Sequence, residues 1–520
     1  MSERIVVDPV TRIEGHLKVE VEIAGGKIVD ARSSGTMARG FEVLLEGRDP
    51  RDATYVTERI CGVCAGSHGW VSSVALDNAY GVELPTGGRI LRNLILGAMW
   101  LHDHPLHFYH LSALDYLDVL AVAGYQGHDP ALNATRDKLV ALVKAGDTSP
   151  LTPRYQPDEF SVKDPEIVTA AVAHYLKALE MQAKAKKMSA IFGGKQPHQS
   201  SIVVGGVTMM PNAQRLAEFR SMLLDQLDFV EKVYLPDVLA FGTGPLLPLA
   251  QLGVGGGRGN FLSYGVFPED NKAGQNFLPA GVITNGQLAQ VQPVDQRKVT
   301  EAVHHSWYAE SIGTKHPWEG RTAYDLDKAD AYSFIKAPRY DGQAMEVGAL
   351  ARMLVLKPPP LMQAITTYKI KVGAVARHAA RAVETVLLAR RMLVWIDELA
   401  AELGSGKGRI HDTAHWETPA EAQGIGMLEA PRGALGHWVK IADKKIKHYQ
   451  IVVPTTWNCS PRDEKGQRGP VEEALIGTPV PDPKNPINVV RVIRSFDPCI
   501  ACAVHVIEPR SNEILKFRIA

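Results

Sequence analysis

Hydrophobic and polar positions alternate with period two near both ends of the chain and follow helical spacing between them. Leu17-Lys18-Val19-Glu20-Val21-Glu22-Ile23 alternates residue by residue, and Gly25-Gly26 before Lys27-Ile28-Val29 reads as a hairpin turn. Residues 5–32 are therefore predicted as β. Residues 437–453 alternate again and turn near Asp443-Lys444. Residues 53–80 read as a loop followed by a helix. Residues 89–121 carry one helical pattern, apolar around much of its circumference, which predicts a buried helix. Residues 165–190 and 213–235 read as amphipathic helices, separated by Gly193–His198 and a strand-like Ile202-Val203-Val204. The longest helical pattern covers residues 366–403. Residues 240–300, rich in Gly and Pro, read as irregular, and a Pro-rich stretch near 478–486 leads to a final short helix or turn. There is no internal repeat, low-complexity tract or flexible linker. The predicted fold class is α+β, a single large unit with a core bundle of long helices and peripheral β-sheets.

Composition narrows the function classes. The 520 residues suffice for a large core, and 57 basic side chains balance 57 acidic ones. No global field favours nucleic acid or an anionic membrane. No run of about 18 apolar residues predicts a membrane-spanning helix. Met1-Ser2-Glu3-Arg4 leads into a strand-like segment and not a secretory signal, so any export is expected to depend on another carrier. Five cysteines in a chain of this length do not make a disulfide framework.

Those cysteines are the candidate chemistry. Cys61 and Cys64 lie in Arg59-Ile60-Cys61-Gly62-Val63-Cys64-Ala65-Gly66-Ser67-His68, and Cys499 and Cys502 in Asp497-Pro498-Cys499-Ile500-Ala501-Cys502-Ala503-Val504-His505. Cys459 stands alone. Two such pairs suit one soft metal site, which requires the fold to bring both termini to it. A structural zinc held by four thiolates is the bland reading, although zinc modules keep their pairs much closer in sequence. The adjoining Asp497, His68 and His505 suggest hydrogen bonding and proton handling around the thiolates, against the alternative of ordinary satisfied core polar groups.

The two motifs resemble those of the nickel-iron hydrogenase large subunit, most like its respiratory uptake group. The resemblance spans essentially the whole chain. It includes Asp8-Pro9-Val10-Thr11-Arg12-Ile13-Glu14-Gly15-His16, Arg39-Gly40-Phe41-Glu42, His102-Asp103-His104-Pro105, Lys336-Ala337-Pro338-Arg339-Tyr340 and Val452-Val453-Pro454-Thr455-Thr456-Trp457-Asn458. It implies Ni bound by all four cysteines, with Cys64 and Cys502 bridging to an Fe that carries two cyanides and one carbon monoxide. The activity implied is reversible heterolytic cleavage of H2. Thiolates suit Ni, and a metal taking the hydride equivalent while a base takes the proton makes that cleavage accessible. Four thiolates and two cyanides against two divalent metals leave a net of about −2 in a dry site, so cationic and hydrogen-bonding neighbours are required. The resemblance places Arg432, in Ala430-Pro431-Arg432-Gly433, over the metals as charge balance, cyanide donor or base. Asp103 and Asp497 would orient it, and Thr455 would donate to a cyanide. Glu14 would be the proton gate near Cys499. Glu42, the Ile451 carbonyl and His505 would hold a Mg ion together with waters.

The resemblance also reads residues 1–505 as the mature subunit and residues 506–520 as a precursor tail, cut between His505 and Val506 by a maturation endopeptidase after nickel-insertion proteins have acted. A bound tail is expected to hold Cys499 and Cys502 away from the first pair; the plain alternative is a terminal strand. With Cys459 alone, no iron-sulfur cluster is expected in this chain. An iron-sulfur small subunit, a heterodimer, a periplasmic location reached through the partner's signal and a cytochrome or quinone-linked acceptor are implied, with a cytoplasmic location as the alternative. A hydrogen-sensing regulatory hydrogenase, a scaffold stapled by its four cysteines and a relative of the quinone-site subunit of respiratory complex I are the rival readings.

Overall fold

Long helices meet in the middle of the molecule and small antiparallel sheets surround them. The computed structural model describes residues 3–503, apart from 39, 153, 271–274 and 407. The expectations for Arg39, His505, Val506 and the tail fall outside these residues.

The N-terminal alternation forms β1 (Glu3–Val7), β2 (Leu17–Ala24) and β3 (Lys27–Gly35), an antiparallel sheet in sequence order. In β2 every second side chain is buried, from Leu17 to Ile23, as the pattern requires. Near the other end, β4 (Glu421–Ala430), β5 (Gly433–Ala442) and β6 (Lys445–Val452) make a second meander. Asp443 and Lys444 turn its last hairpin with φ of 53° and 59°, the left-handed pair of a two-residue turn.

The helices that matter for the site are α1 (Asp52–Glu58), α2 (Ala65–Tyr80), α3 (Thr86–Pro105), α4 (Pro165–Gly193), α5 (Ala213–Phe229), α6 (Ala349–Leu356), α7 (Ala374–Gly404) and α8 (Ile487–Ser495). Asp164 caps α4 by accepting from the N–H groups of Glu166 and Ile167, with Pro165 in the first turn. Helices α3, α4, α5 and α7 pack on one another, and α8 packs on α7. Helix α2 lies across β4. A Cβ on Gly424 or Gly426 would stand 2.0 and 2.2 Å from carbonyl oxygens of α2, so only glycine permits this approach.

Three expectations require correction. The helix expected over 89–121 is α-helical only to Pro105, followed by a π-helical turn over Leu106–Ser112 and a 3-10 turn over Ala113–Asp115. Proline has no N–H to give the ladder, and the register changes there. The helix expected over 366–403 begins at Ala374; Pro359–Tyr368 is a separate helix, ended by Lys369 at φ 54°. Residues 240–300 contain a helix, Leu247–Leu252, and a hairpin of Phe261–Pro268 with Asn276–Ile283. Phe261 to Phe267 are all buried, so no alternation marks that strand. Among the described residues no helix is long and apolar enough to cross a membrane.

Candidate metal centre

The two ends of the chain are pinned together before the cysteines are reached. Arg494 on α8 donates to both carboxylate oxygens of Asp115 at 2.6 and 2.7 Å, and through Nε to the Thr11 carbonyl at 2.9 Å. Arg12 donates to the same Asp115 at 2.6 Å. Beyond α8 the chain reverses at Asp497, which takes φ 55° ahead of Pro498. The Ile500 N–H then donates to the Glu14 carbonyl at 2.6 Å, making a parallel bridge between Glu14 and Cys499. Gly15, at φ 86°, is required here, because a Cβ would fall 2.5 Å from the Ala501 nitrogen.

This pinning brings the second pair against the first, which occupies the loop between α1 and α2. The Cys61 and Cys499 sulfurs are 3.4 Å apart, Cys64 and Cys502 are 3.2 Å apart, and Cys499 and Cys502 are 2.9 Å apart. All four sulfurs lie within 4.8 Å of one another, and none of the four residues is more than 2% exposed. Four sulfurs bound tetrahedrally at about 2.3 Å would stand about 3.8 Å apart, so a cluster of this size suits a single ion.

The thiols do not share one acidity. Contacts from Cys499, Cys502 and Cys64 bring Cys61 well below the ordinary thiol range. Burial pushes Cys499 and Cys502 well above it. One thiolate is thus stabilised by its neighbours, and a cation entering the cluster must displace protons from the others.

Charge and hydrogen bonds converge on the sulfurs from three sides. Arg432, 3% exposed, donates from Nη1 to Asp103 Oδ2 at 3.0 Å and places Nε 3.2 Å from Asp497 Oδ1. Burial alone would lower its pKa, but Asp497, Asp103, Cys499 and Cys64 outweigh burial and hold it well above the usual arginine range. A guanidinium so held is a fixed cation. His102 Nδ1 approaches the other Asp103 oxygen at 2.7 Å. Thr455 Oγ1 accepts from the Cys499 N–H at 2.9 Å, and the Cys61 sulfur accepts from the N–H groups of Val63 and Cys64.

His68 Nε2 lies 3.5 Å from the Cys502 sulfur, and its Nδ1 lies 3.4 Å from His437 Nε2. His437 Nδ1 lies 2.9 Å from the Tyr449 hydroxyl, which donates to Ser72 Oγ at 2.9 Å. Tyr449 gives its proton to Ser72, so its oxygen is open to accept from His437 Nδ1. Sequence reasoning found His68 but missed His437, Tyr449 and Ser72. Nothing local marks them; only the facing of β5, β6 and α2 brings them into line.

Glu42 and Ile451 also meet, but through the Ile451 N–H, which donates to Glu42 Oε1 at 3.0 Å, while Thr322 donates to the other oxygen. Glu301, missed from sequence, is buried nearby and accepts from Gln450 at 2.7 Å, with Lys336 at 3.7 Å. Burial raises its pKa to about 7.

The nickel-dependent hydrogenase family matches residues 39–505, and a family described as HoxL-like matches residues 4–34. The chain belongs to the nickel-dependent hydrogenase family. It is 40% identical to the uptake hydrogenase large subunit of Bradyrhizobium diazoefficiens, over 100% of this chain and 98% of that one. It is 42% identical to the periplasmic NiFeSe hydrogenase large subunit of Desulfomicrobium baculatum, over 98% and 96%. The fold matches the reduced Ni-Fe-Se hydrogenase from D. vulgaris Hildenborough with a TM-score of 0.85 at 42% identity, covering 97% of this chain and 100% of that one. This hydrogenase large subunit is accordingly an oxidoreductase acting on H2, with mixed helices and small sheets as expected, and neither a zinc-stapled scaffold nor the complex I relative.

One buried carboxyl of this hydrogenase subunit gives a pH prediction. Glu58, at the end of α1, is 0% exposed; among the described residues no group hydrogen-bonds its oxygens, and the nearest cation is Arg59 at 3.6 Å. Burial raises its pKa to about 8. The folded state keeps a proton that the unfolded chain releases above about pH 4.3, so this term destabilises increasingly as pH rises toward 8. Glu58→Gln is expected to raise the denaturation midpoint at about pH 8 and to leave it nearly unchanged at about pH 5. An equal change at both pH values would show that Glu58 is not the titrating group.

Proposed function

We propose that this chain splits H2 heterolytically at a Ni-Fe site on Cys61, Cys64, Cys499 and Cys502, with Cys64 and Cys502 bridging and the Fe carrying two cyanides and one carbon monoxide. The observation that carries this reading is four buried sulfurs within 4.8 Å, drawn from the two ends of the chain and faced by a buried arginine. The bound metals would supply the Lewis acidity that polarises H2 and accepts its electron pair. The protein's part is electrostatic and protonic. Arg432 balances the anionic cluster, and Asp103 and Asp497 aim it. Pro431 forms the turn beneath it, the Thr455 hydroxyl proton is available to a cyanide, and His68 supports the Cys502 sulfur. Glu14, joined through its backbone to Cys499, takes the proton outward. Infrared spectra and metal analysis of the purified complex test the assignment: cyanide and carbon monoxide bands with one Ni per chain are expected, and their absence from nickel-loaded protein overturns it.

Arg432→Lys keeps the charge but loses the planar fork that Asp103 and Asp497 orient. It is expected to lower H2-dependent dye reduction on the order of 10²–10³-fold, with the infrared bands still present and the cyanide bands shifted. Activity within a few-fold of wild type would remove Arg432 from the machinery.

The same reading includes a Mg ion on Glu42, the Ile451 carbonyl and His505, and cleavage between His505 and Val506 by a maturation endopeptidase that follows nickel insertion. It also includes an iron-sulfur small subunit, because Cys459 is the one thiol outside the site and lies buried, pushed up to about 12. Ahead of the first pair, Val43 and Leu44 of a short helix (Phe41–Leu45) and Tyr55 of α1 are exposed, which suits a subunit interface. Electrons would pass through that partner to a cytochrome or quinone-linked acceptor. A periplasmic location, with membrane association through the partner, accords with the name of the Desulfomicrobium relative.

A further inference from the structure

Arg432 is held from two directions, and only one of them is the pair of carboxylates at its head. The other is Arg352, on α6, a guanidinium with 0% side-chain exposure whose five N–H groups are all used. Nε and Nη2 donate to the two oxygens of Glu384, each at 2.7 Å. Nη1 donates to Glu429 at 2.7 Å and to the Ala430 carbonyl at 3.1 Å, and Nη2 donates to the Pro431 carbonyl at 2.8 Å. The last two acceptors immediately precede Arg432 in the chain. The Trp100 ring covers the guanidinium at 4.5 Å, which fixes its plane.

The network then returns to the other support of Arg432. Glu384 meets His104 Nε2 at 2.9 Å, and His104 follows Asp103, which accepts from the Arg432 head group. The backbone and the head of Arg432 are thus both referenced to the same turn of α3. The electrostatics agree. Although burial raises it, Arg352 brings Glu384 down to about 2, whereas burial leaves Glu429 at about 7. The Arg352 cation is thus paired in bidentate contact with at least one ionised carboxylate, which offsets its buried charge.

We propose that Arg352 is a positioning residue for Arg432: by clamping the Ala430 and Pro431 carbonyls it fixes the turn from which Arg432 faces the four-cysteine cluster. This rests on the role proposed for Arg432. Lysine at 352 keeps the charge but cannot make a planar contact with two carboxylates and two carbonyls at once.

The test is a double-substitution cycle in the purified complex, using Arg352→Lys, Arg432→Lys and both together, with nickel content, infrared spectra and H2-dependent dye reduction measured for each. Arg352→Lys is expected to retain nickel, to shift the cyanide bands and to lower kcat on the order of 10²-fold with the KM for H2 little changed. In the Arg432→Lys background it is expected to cost nothing further, because its effect passes through that side chain. Losses that multiply, or an Arg352→Lys enzyme with wild-type kcat, overturn the proposal. An Arg432→Lys enzyme without loss overturns instead the role of Arg432. Should Arg352→Lys fail to accumulate, Glu429→Gln, of equal volume, withdraws one carboxylate from Nη1. Its smaller loss must vanish in the Arg432→Lys background, and a loss that persists there overturns the proposal.

Discussion

Replacing Cys64 with serine is expected to leave a folded subunit without nickel and with H2-dependent dye reduction at background. Serine is nearly the same size, so packing in the loop between α1 and α2 is little disturbed. The chemistry is not preserved. A hydroxyl does not ionise near neutral pH and is a hard donor where the other three donors are soft. Cys64 also touches Cys502 at 3.2 Å within the cluster, so its loss removes a contact inside the ligand set and not at its margin. The cluster needs a cation to deprotonate the thiols that burial holds neutral, and three thiols with one hydroxyl give that cation a weaker site. Metal analysis of the purified complex, read beside its circular dichroism, is the measurement. A Cys64→Ser complex with full nickel and turnover within tenfold of wild type, against the far larger loss that a broken metal site entails, would remove Cys64 from the ligand set.

The second large effect is expected from Glu14→Gln. Glu14 is half-buried, and its backbone is bridged to Cys499 on both sides, by its own N–H to Pro498 and by Ile500 to its carbonyl. The backbone bonds do not depend on the side chain, so the amide leaves the bridge and the cluster in place. It removes only the capacity to take up and release a proton. General acid–base groups contribute about 10²–10⁴-fold, and a loss of that order in H2–D2O exchange is expected, with nickel content and infrared bands unchanged. Unimpaired exchange would show that protons leave by another route. The pair of variants is expected to separate assembly from turnover, with the metal lost in Cys64→Ser and retained in Glu14→Gln while proton exchange falls.

Much of the fold was legible wherever one face of an element meets water. The alternation in β2 gave the first meander, that around Asp443-Lys444 gave the β5–β6 hairpin of the second but not β4, and the helical spacing from residue 165 gave α4. Reading failed where both faces are buried, as in Phe261–Phe267, because periodicity reports a difference between faces and vanishes when there is none. It also failed at Pro105, where one missing donor changes the helix type without changing the hydrophobic pattern.

What the sequence determined by itself is the ligand set. Cys-x-x-Cys spacing is a local property, since two thiols three positions apart are presented together by a single turn of chain. The flanking motifs then specified the family. What only the tertiary structure decided is everything that depends on residues meeting across the chain. Arg12 and Arg494 close the two ends on Asp115, Asp497 and Asp103 hold Arg432 as a cation, His437 lines up behind His68, and Arg352 clamps the turn that carries Arg432. Acidity and aim are set by burial and by charges a few ångströms away, and those neighbours are distant in sequence. The chain names the donors, while the fold sets their protonation and direction.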